Sequence, residues 1–111
     1  MDPDEIISVN PDLRFDDLPV PVGFLIDIER SYAFQNSDTR VAILRYVGKE
    51  SPRTLVEFFK EQMPRYNWEM INQVEFEMIE LNFEKRNESC VVRIKPERGK
   101  IQITVSISPK H

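Results

Sequence analysis

Alternating hydrophobic and polar residues predict a β-hairpin in the first half of the chain. The stretch Arg30–Gln35 alternates, and turn-forming residues at 36–38 separate it from the β-rich stretch Thr39–Gly48. The second stretch is apolar on both faces, with one set of Val41, Ile43 and Val47 and another of Ala42, Leu44 and Tyr46. A strand that is apolar on both sides lies centrally in a sheet or has its second face partly covered.

The pattern changes to a helical one after the hairpin. Ser51 is a suitable N-cap and Pro52 a suitable first helical residue. Apolar residues then recur at three- and four-residue steps and form one stripe, composed of Leu55, Val56, Phe59 and Met63. Pro64 ends or weakens the helix, and Asn67 can adopt the left-handed conformation that closes it.

Alternation returns after the helix and predicts a meander. A short strand lies within 68–76, with a bend in 73–77, and clearer strands follow at 79–85, 90–95 and 101–108. Pairing Phe83 with Val92 and Ile94 with Ile101 matches apolar residues and leaves four-residue loops at 86–89 and 96–99. The same pairing places Glu80 opposite Lys95 on the outer face.

These elements predict a two-layer α+β domain, in which one helix packs across an antiparallel sheet of about five strands in a ββαβββ-like order. The predicted domain covers residues 17–111, and residues 1–16 form an extended or mobile lead-in. The segment "DLPVPVGF" (17–24) has two prolines, which cannot donate to a sheet ladder, so we expect it at an edge, closing one end of the core.

Composition narrows the possible functions. The 111 residues carry a net charge of -4, which argues against a broad nucleic-acid-binding surface. No apolar run approaches the roughly 18 residues of a membrane span. The single cysteine, Cys90, excludes an internal disulfide and lies on the inward face of its predicted strand. The only histidine, His111, is the last residue of the sequence, so no histidine-based catalytic pair or metal cluster is expected inside the fold.

No catalytic, cofactor-binding or metal-binding residue is therefore predicted, and we expect a non-enzymatic structural or protein-interaction domain. If the helix covers Val41 and Ile43, then Leu44 and Tyr46 form an apolar spot on the far face of the sheet. Phe58 and Tyr66 complete the predicted interaction residues. The partner is another protein or a second copy, unless the amino-terminal segment folds over this spot. The alternative is a small-molecule-binding module with its pocket between helix and sheet.

Three patches, "DLPVPVGF", "VEFFKEQMPRYNW" and "LNFEKRNESCVVRI", resemble a small uncharacterised bacterial domain that often forms the body of short exported lipoproteins. The resemblance extends across most of residues 17–94 and concerns structural positions, so it implies a fold and no catalytic residue. It implies a cell-envelope location if an upstream export signal has been removed. The start of the sequence is acidic, unlike a signal peptide, so the protein is otherwise expected in the cytoplasm.

Overall fold

The computed structural model describes residues 15–110. Two 3₁₀ turns, at Ile28–Arg30 and Met63–Tyr66, accompany one helix and seven strands. The helix and strands are β1 (Leu25–Ile26), β2 (Tyr32–Gln35), β3 (Arg40–Gly48), α1 (Pro52–Gln62), β4 (Glu69–Glu75), β5 (Ile79–Lys85), β6 (Glu88–Glu97) and β7 (Lys100–Pro109). Most of the predicted lead-in, residues 1–14, lies outside the described residues, and so does His111.

All seven strands belong to one antiparallel sheet in the order β1-β3-β7-β6-β5-β4, with β2 beside β1 on the same edge of β3. The predicted mostly antiparallel sheet with a single helix is confirmed, but the expected number of about five strands was too low. The strand β1 was missed because two residues, Leu25 and Ile26, are too few to show alternation.

The predicted register of the meander was wrong by two residues. Phe83 lies opposite Cys90 and Ile94 opposite Ile103, because each hairpin turns in two residues and not in four. In the second turn Arg98 and Gly99 both have positive φ, 52° and 79°, as a type I′ turn requires. Such turns match the twist of the strands and let β6 continue to Glu97. A shift of two residues leaves the inward and outward faces unchanged.

The face of β3 that packs toward the helix is the one with Leu44 and Tyr46, and not the one with Val41 and Ile43. Leu44 lies opposite Val105 and Tyr46 opposite Ile103, and opposed residues of an antiparallel pair share a face. Because β7 directs its isoleucines and Val105 into the core, Leu44 and Tyr46 are buried with them. Val41 and the residues in phase with it therefore occupy the far face.

The helix follows the sequence prediction. The hydroxyl oxygen of Ser51 accepts a hydrogen bond from the backbone N–H of Thr54 at 3.1 Å, and the helix begins at Pro52. The apolar stripe of Leu55, Val56, Phe59 and Met63 is buried against the sheet. The chain leaves the helix through the 3₁₀ turn that contains Pro64, and Asn67 closes it with a φ of 71°.

Residues 17–24, the amino-terminal clasp, close the core along β3. Leu18 and Phe24 are buried, whereas Val22 is fully exposed in a turn that Gly23 makes with a φ of 88°. The indole N–H of Trp68 donates to the carbonyl oxygen of Asp17 at 2.9 Å and fixes the beginning of the clasp.

Candidate interaction surface

The four predicted interaction residues do not share a surface. Leu44 is 0% exposed and Tyr46 is 5% exposed, so both belong to the core and cannot form the expected apolar spot. Phe58 is half-buried on the helix and packs edge-to-face on Phe59, with ring centroids 5.1 Å apart. Tyr66 is 36% exposed in the 3₁₀ turn. Only Phe58 and Tyr66 reach solvent.

An apolar patch exists on the far face of the sheet, but it consists of other residues. Tyr32 lies opposite Ile43, and Phe34 lies opposite Val41. The two aromatic side chains are 46% and 36% exposed, and the two aliphatic ones beside them are half-buried. We call these four residues the open-face patch. Among residues 15–110 the helix packs on the opposite face of the sheet, where the core lies.

Polar residues border the open-face patch. The next strand, β7, places Ser106 opposite Ile43 and Thr104 opposite Arg45 on the same face. Further across, the Nε of Arg93 donates to Glu80 at 3.0 Å in a half-exposed ion pair. This surface therefore has an apolar corner, a band of hydroxyl groups and a charged far side.

A cluster of four charged side chains closes one end of the core on the helix side. Arg40 donates two hydrogen bonds of 2.9 Å to the carboxylate of Asp17 and two, of 2.9 and 2.6 Å, to Glu88. Lys85 donates to Asp17 at 2.6 Å and lies 4.5 Å from the ring centroid of Trp68. Because these charges are bonded mainly to one another, the cluster ties the clasp to β3, β5 and β6.

Sequence reasoning missed this cluster, although the sequence contains a signal for it. Arg40, Lys85 and Glu88 are in the same alternating phase as the buried residues of their strands. Three charged residues at inward positions, all at strand ends, indicate a set of mutual partners, since an unpaired charge is costly to bury. The fourth member, Asp17, lies in the clasp and has no such periodic signal.

Asp17 and Arg40 keep their charges over a wide pH range. Burial by itself would raise the pKa of Asp17, but hydrogen bonds from Arg40 and Lys85 outweigh burial and lower that pKa to about 2. Burial by itself would lower the pKa of Arg40, but its hydrogen bonds to Asp17 and Glu88 outweigh burial and raise that pKa. Neither Asp17 nor Arg40 is therefore poised to exchange a proton near neutral pH.

Cys90 lies beside this cluster and is fully buried. Burial raises the pKa of its thiol to about 12, and the nearby carboxylate of Asp17 adds to the effect. The reactive thiolate is therefore essentially absent at neutral pH, and Cys90 acts as a small apolar core residue.

Within residues 15–110, no group of three or more His, Cys, Asp or Glu side chains is arranged to hold a metal ion. No helix in that range is long and apolar enough to cross a membrane. Comparison of the chain with family models, curated proteins and solved structures finds no match.

Proposed function

We propose that this chain is a non-catalytic protein-interaction domain that contacts its partner through the open-face patch. The observation that carries the proposal is the exposure of Tyr32 and Phe34 beside Val41 and Ile43, on the sheet face opposite the helix. An apolar centre with a polar border is the usual anatomy of a protein contact. Aromatic side chains are also enriched in such contacts.

The rest of the molecule supports a binding role more than a catalytic one. The thiol of Cys90 is buried and protonated. The side chain of Arg40 is hydrogen-bonded to Asp17 and Glu88 and so stabilises the clasp. Large side chains such as Phe59, Phe83 and Ile103 are buried between helix and sheet. Because these side chains fill the space where a small-molecule pocket was expected, a protein contact has more support than the small-molecule alternative.

The partner is a protein surface that is itself flat and apolar, because the open-face patch spreads its apolar side chains over two neighbouring strands of one sheet face. A second copy of this chain meets that description, since all four residues of the open-face patch are uncharged. Self-association is therefore the first form of contact to measure, and it needs no other component.

Sedimentation velocity between about 10 and 500 µM tests the proposal, a range that covers typical weak protein contacts. The unsubstituted chain should show a sedimentation coefficient that rises with concentration. The double variant Tyr32→Ser with Phe34→Ser should remain monomeric with its melting temperature nearly unchanged. The matched control is Tyr66→Ser, which removes an equally exposed aromatic residue elsewhere and should still associate.

A chain that is monomeric at every concentration would exclude a second copy. The patch would then have to bind 8-anilinonaphthalene-1-sulfonate, a dye for exposed apolar surface, and lose that binding in the double variant. Equal dye binding by the chain, the double variant and the control would show that the patch is no contact surface.

A further inference from the structure

The outermost strand β4 exposes apolar side chains beside a free sheet edge. It pairs with β5 on one side, and no described strand lies on the other. Ile71 and Val74 are each 49% exposed, and Phe76, at the tip of the hairpin that follows, is 90% exposed. An edge strand of this kind is a template for pairing with another chain.

The pairing phase shows which backbone groups of β4 are free. Lys85 and Glu88 flank a two-residue turn, so these two residues form a hydrogen-bonded pair. Bonding direction alternates along an antiparallel strand, so Asn82 and Glu80 direct their backbone groups away from β6 and toward β4.

Asn72 and Val74 lie opposite those two residues, so their backbone groups are used inside the sheet. Gln73 and Glu75 alternate with them and direct their N–H and C=O groups outward. Within residues 15–110, neither backbone forms a hydrogen bond outside the sheet. Together they offer two donors and two acceptors at the spacing that an added strand requires.

A groove runs beside this edge on the helix side. It has a volume of about 500 Å³ and lies between the first turn of α1 and the β4–β5 hairpin. Pro52, Arg53 and Val56 line it from the helix, and Ile79 lines it from the sheet. Opposed residues on neighbouring strands share a face, so residues added opposite Gln73 would direct their side chains into this groove.

Charge indicates the kind of segment that fits. Exposed glutamates stand at both ends of the edge, Glu69 at the start of β4 and Glu75 with Glu77 at its end. Antiparallel pairing of two β4 strands centred on Asn72 would place Glu69 opposite Glu75, which like-charge repulsion disfavours. A segment with cations at its ends meets these glutamates favourably.

We propose that β4 binds an extended segment of another protein as an additional antiparallel strand. The segment has apolar residues at alternate positions, which enter the groove lined by Val56 and Ile79, and lysine or arginine at both ends. This mode takes affinity from main-chain hydrogen bonds and specificity from alternate side chains. The site is separate from the open-face patch, so either proposal can fail without the other.

The test is a titration of the full chain with the synthetic peptide KKVTVTVKK, blocked at both ends, followed by amide NMR. Chemical-shift changes should be confined to β4, the β4–β5 hairpin and the first turn of α1. The amides of Gln73 and Glu75 should gain at least tenfold protection from hydrogen exchange, whereas that of Val74, already bonded in the sheet, should not change. The peptide EEVTVTVEE should bind at least tenfold more weakly.

Two variants of one residue separate backbone pairing from other contacts. Gln73→Pro removes an outward N–H that forms no bond in the sheet, and it should weaken binding of KKVTVTVKK at least tenfold. Gln73→Thr keeps the N–H and should bind like the unsubstituted chain. If Gln73→Pro does not fold, Glu75→Lys provides the second measurement, because it should reduce the preference for the basic peptide over the acidic one at least threefold.

Three results would overturn the proposal. The first is no shift in the β4 amides at millimolar peptide, and the second is equal binding of the basic and acidic peptides. The third is protection of the Gln73 and Glu75 amides in the chain without peptide. Sedimentation would then show whether a second copy or another part of the same chain occupies the edge.

Discussion

Replacing Asp17 by asparagine should destabilise the domain by about 1–2 kcal/mol at pH 7. The substitution keeps the shape of the side chain and removes the negative charge that Arg40 and Lys85 share. Arg40 keeps its hydrogen bonds to Glu88, whereas the salt bridge between Lys85 and Asp17 is lost. The first residues of the clasp, next to Asp17, should therefore become less firmly attached to the core.

The magnitude follows from the pKa of Asp17. Its lowering from 3.8 to about 2 corresponds to roughly 2.4 kcal/mol of stability at 1.36 kcal/mol per pKa unit. The side chain is 24% exposed, and solvent screening reduces this figure to about 1–2 kcal/mol. For a domain of this size, the melting temperature should fall by about 4–9 °C.

The pH dependence has a definite sign. A carboxyl group whose pKa is lowered by folding stabilises the native state above its unfolded pKa and loses that contribution as pH falls toward its folded pKa. The unsubstituted chain should therefore lose stability between about pH 4 and pH 2, the interval between the two pKa values of Asp17. Asp17→Asn should show a smaller loss, and the two stability curves should converge near pH 2.

Urea unfolding followed by circular dichroism at several pH values measures both effects. The matched control is Asp16→Asn, which removes the neighbouring exposed carboxylate and should cost under about 0.5 kcal/mol. If the Asp17 and Asp16 variants have equal free energies of unfolding, or if the difference between Asp17→Asn and the unsubstituted chain persists unchanged at pH 2, the charged cluster does not hold the clasp.

Two other predictions concern the core. A Cβ at residue 48 would lie 2.7 Å from Cγ of Phe24, so Gly48→Ala should lower the free energy of unfolding by about 1–3 kcal/mol. The same change in a Phe24→Leu background should cost less, and equal costs in the two backgrounds would show that the ring is not the obstacle. Cys90 should react with 5,5′-dithiobis(2-nitrobenzoic acid) at least about 100-fold more slowly in the folded chain than in urea, because burial keeps its thiol protonated. Rapid labelling of the folded chain would contradict the burial of Cys90.

The helix and the strand faces of the meander could be read from the sequence because local chemistry determines them. Ser51, Pro52, Pro64 and Asn67 each act within one turn of the chain, and all four have the expected role. The register could not be read in the same way. Alternation has a period of two, so a shift of two residues gives an equally good apolar match, and only the turn length distinguishes them.

Leu44 and Tyr46 were placed on the wrong face because the face of β3 that enters the core depends on a distant strand. Both faces of β3 are apolar, and its pairing with β7 decides which one enters the core. Leu44 and Tyr46 were therefore assigned to the surface. The apolar residues exposed there belong to the open-face patch, which includes Tyr32 and Phe34 of the neighbouring strand. The charged cluster likewise depends on Asp17, which reaches Lys85 across 68 residues of sequence.

The position of β7 between β3 and β6 has a consequence for how the protein is made. β3 ends at residue 48, but its partner β7 begins at residue 100. About half of the backbone hydrogen bonds of β3 therefore cannot form until β7 has been synthesised. During synthesis β3 must remain unpaired on that side while Leu44 and Tyr46 have no core to enter. Sheets built from such distant pairings form slowly, since the loop must close before the contacts stabilise it. The nascent chain should therefore be most open to chaperones and proteases until β7 has left the ribosome.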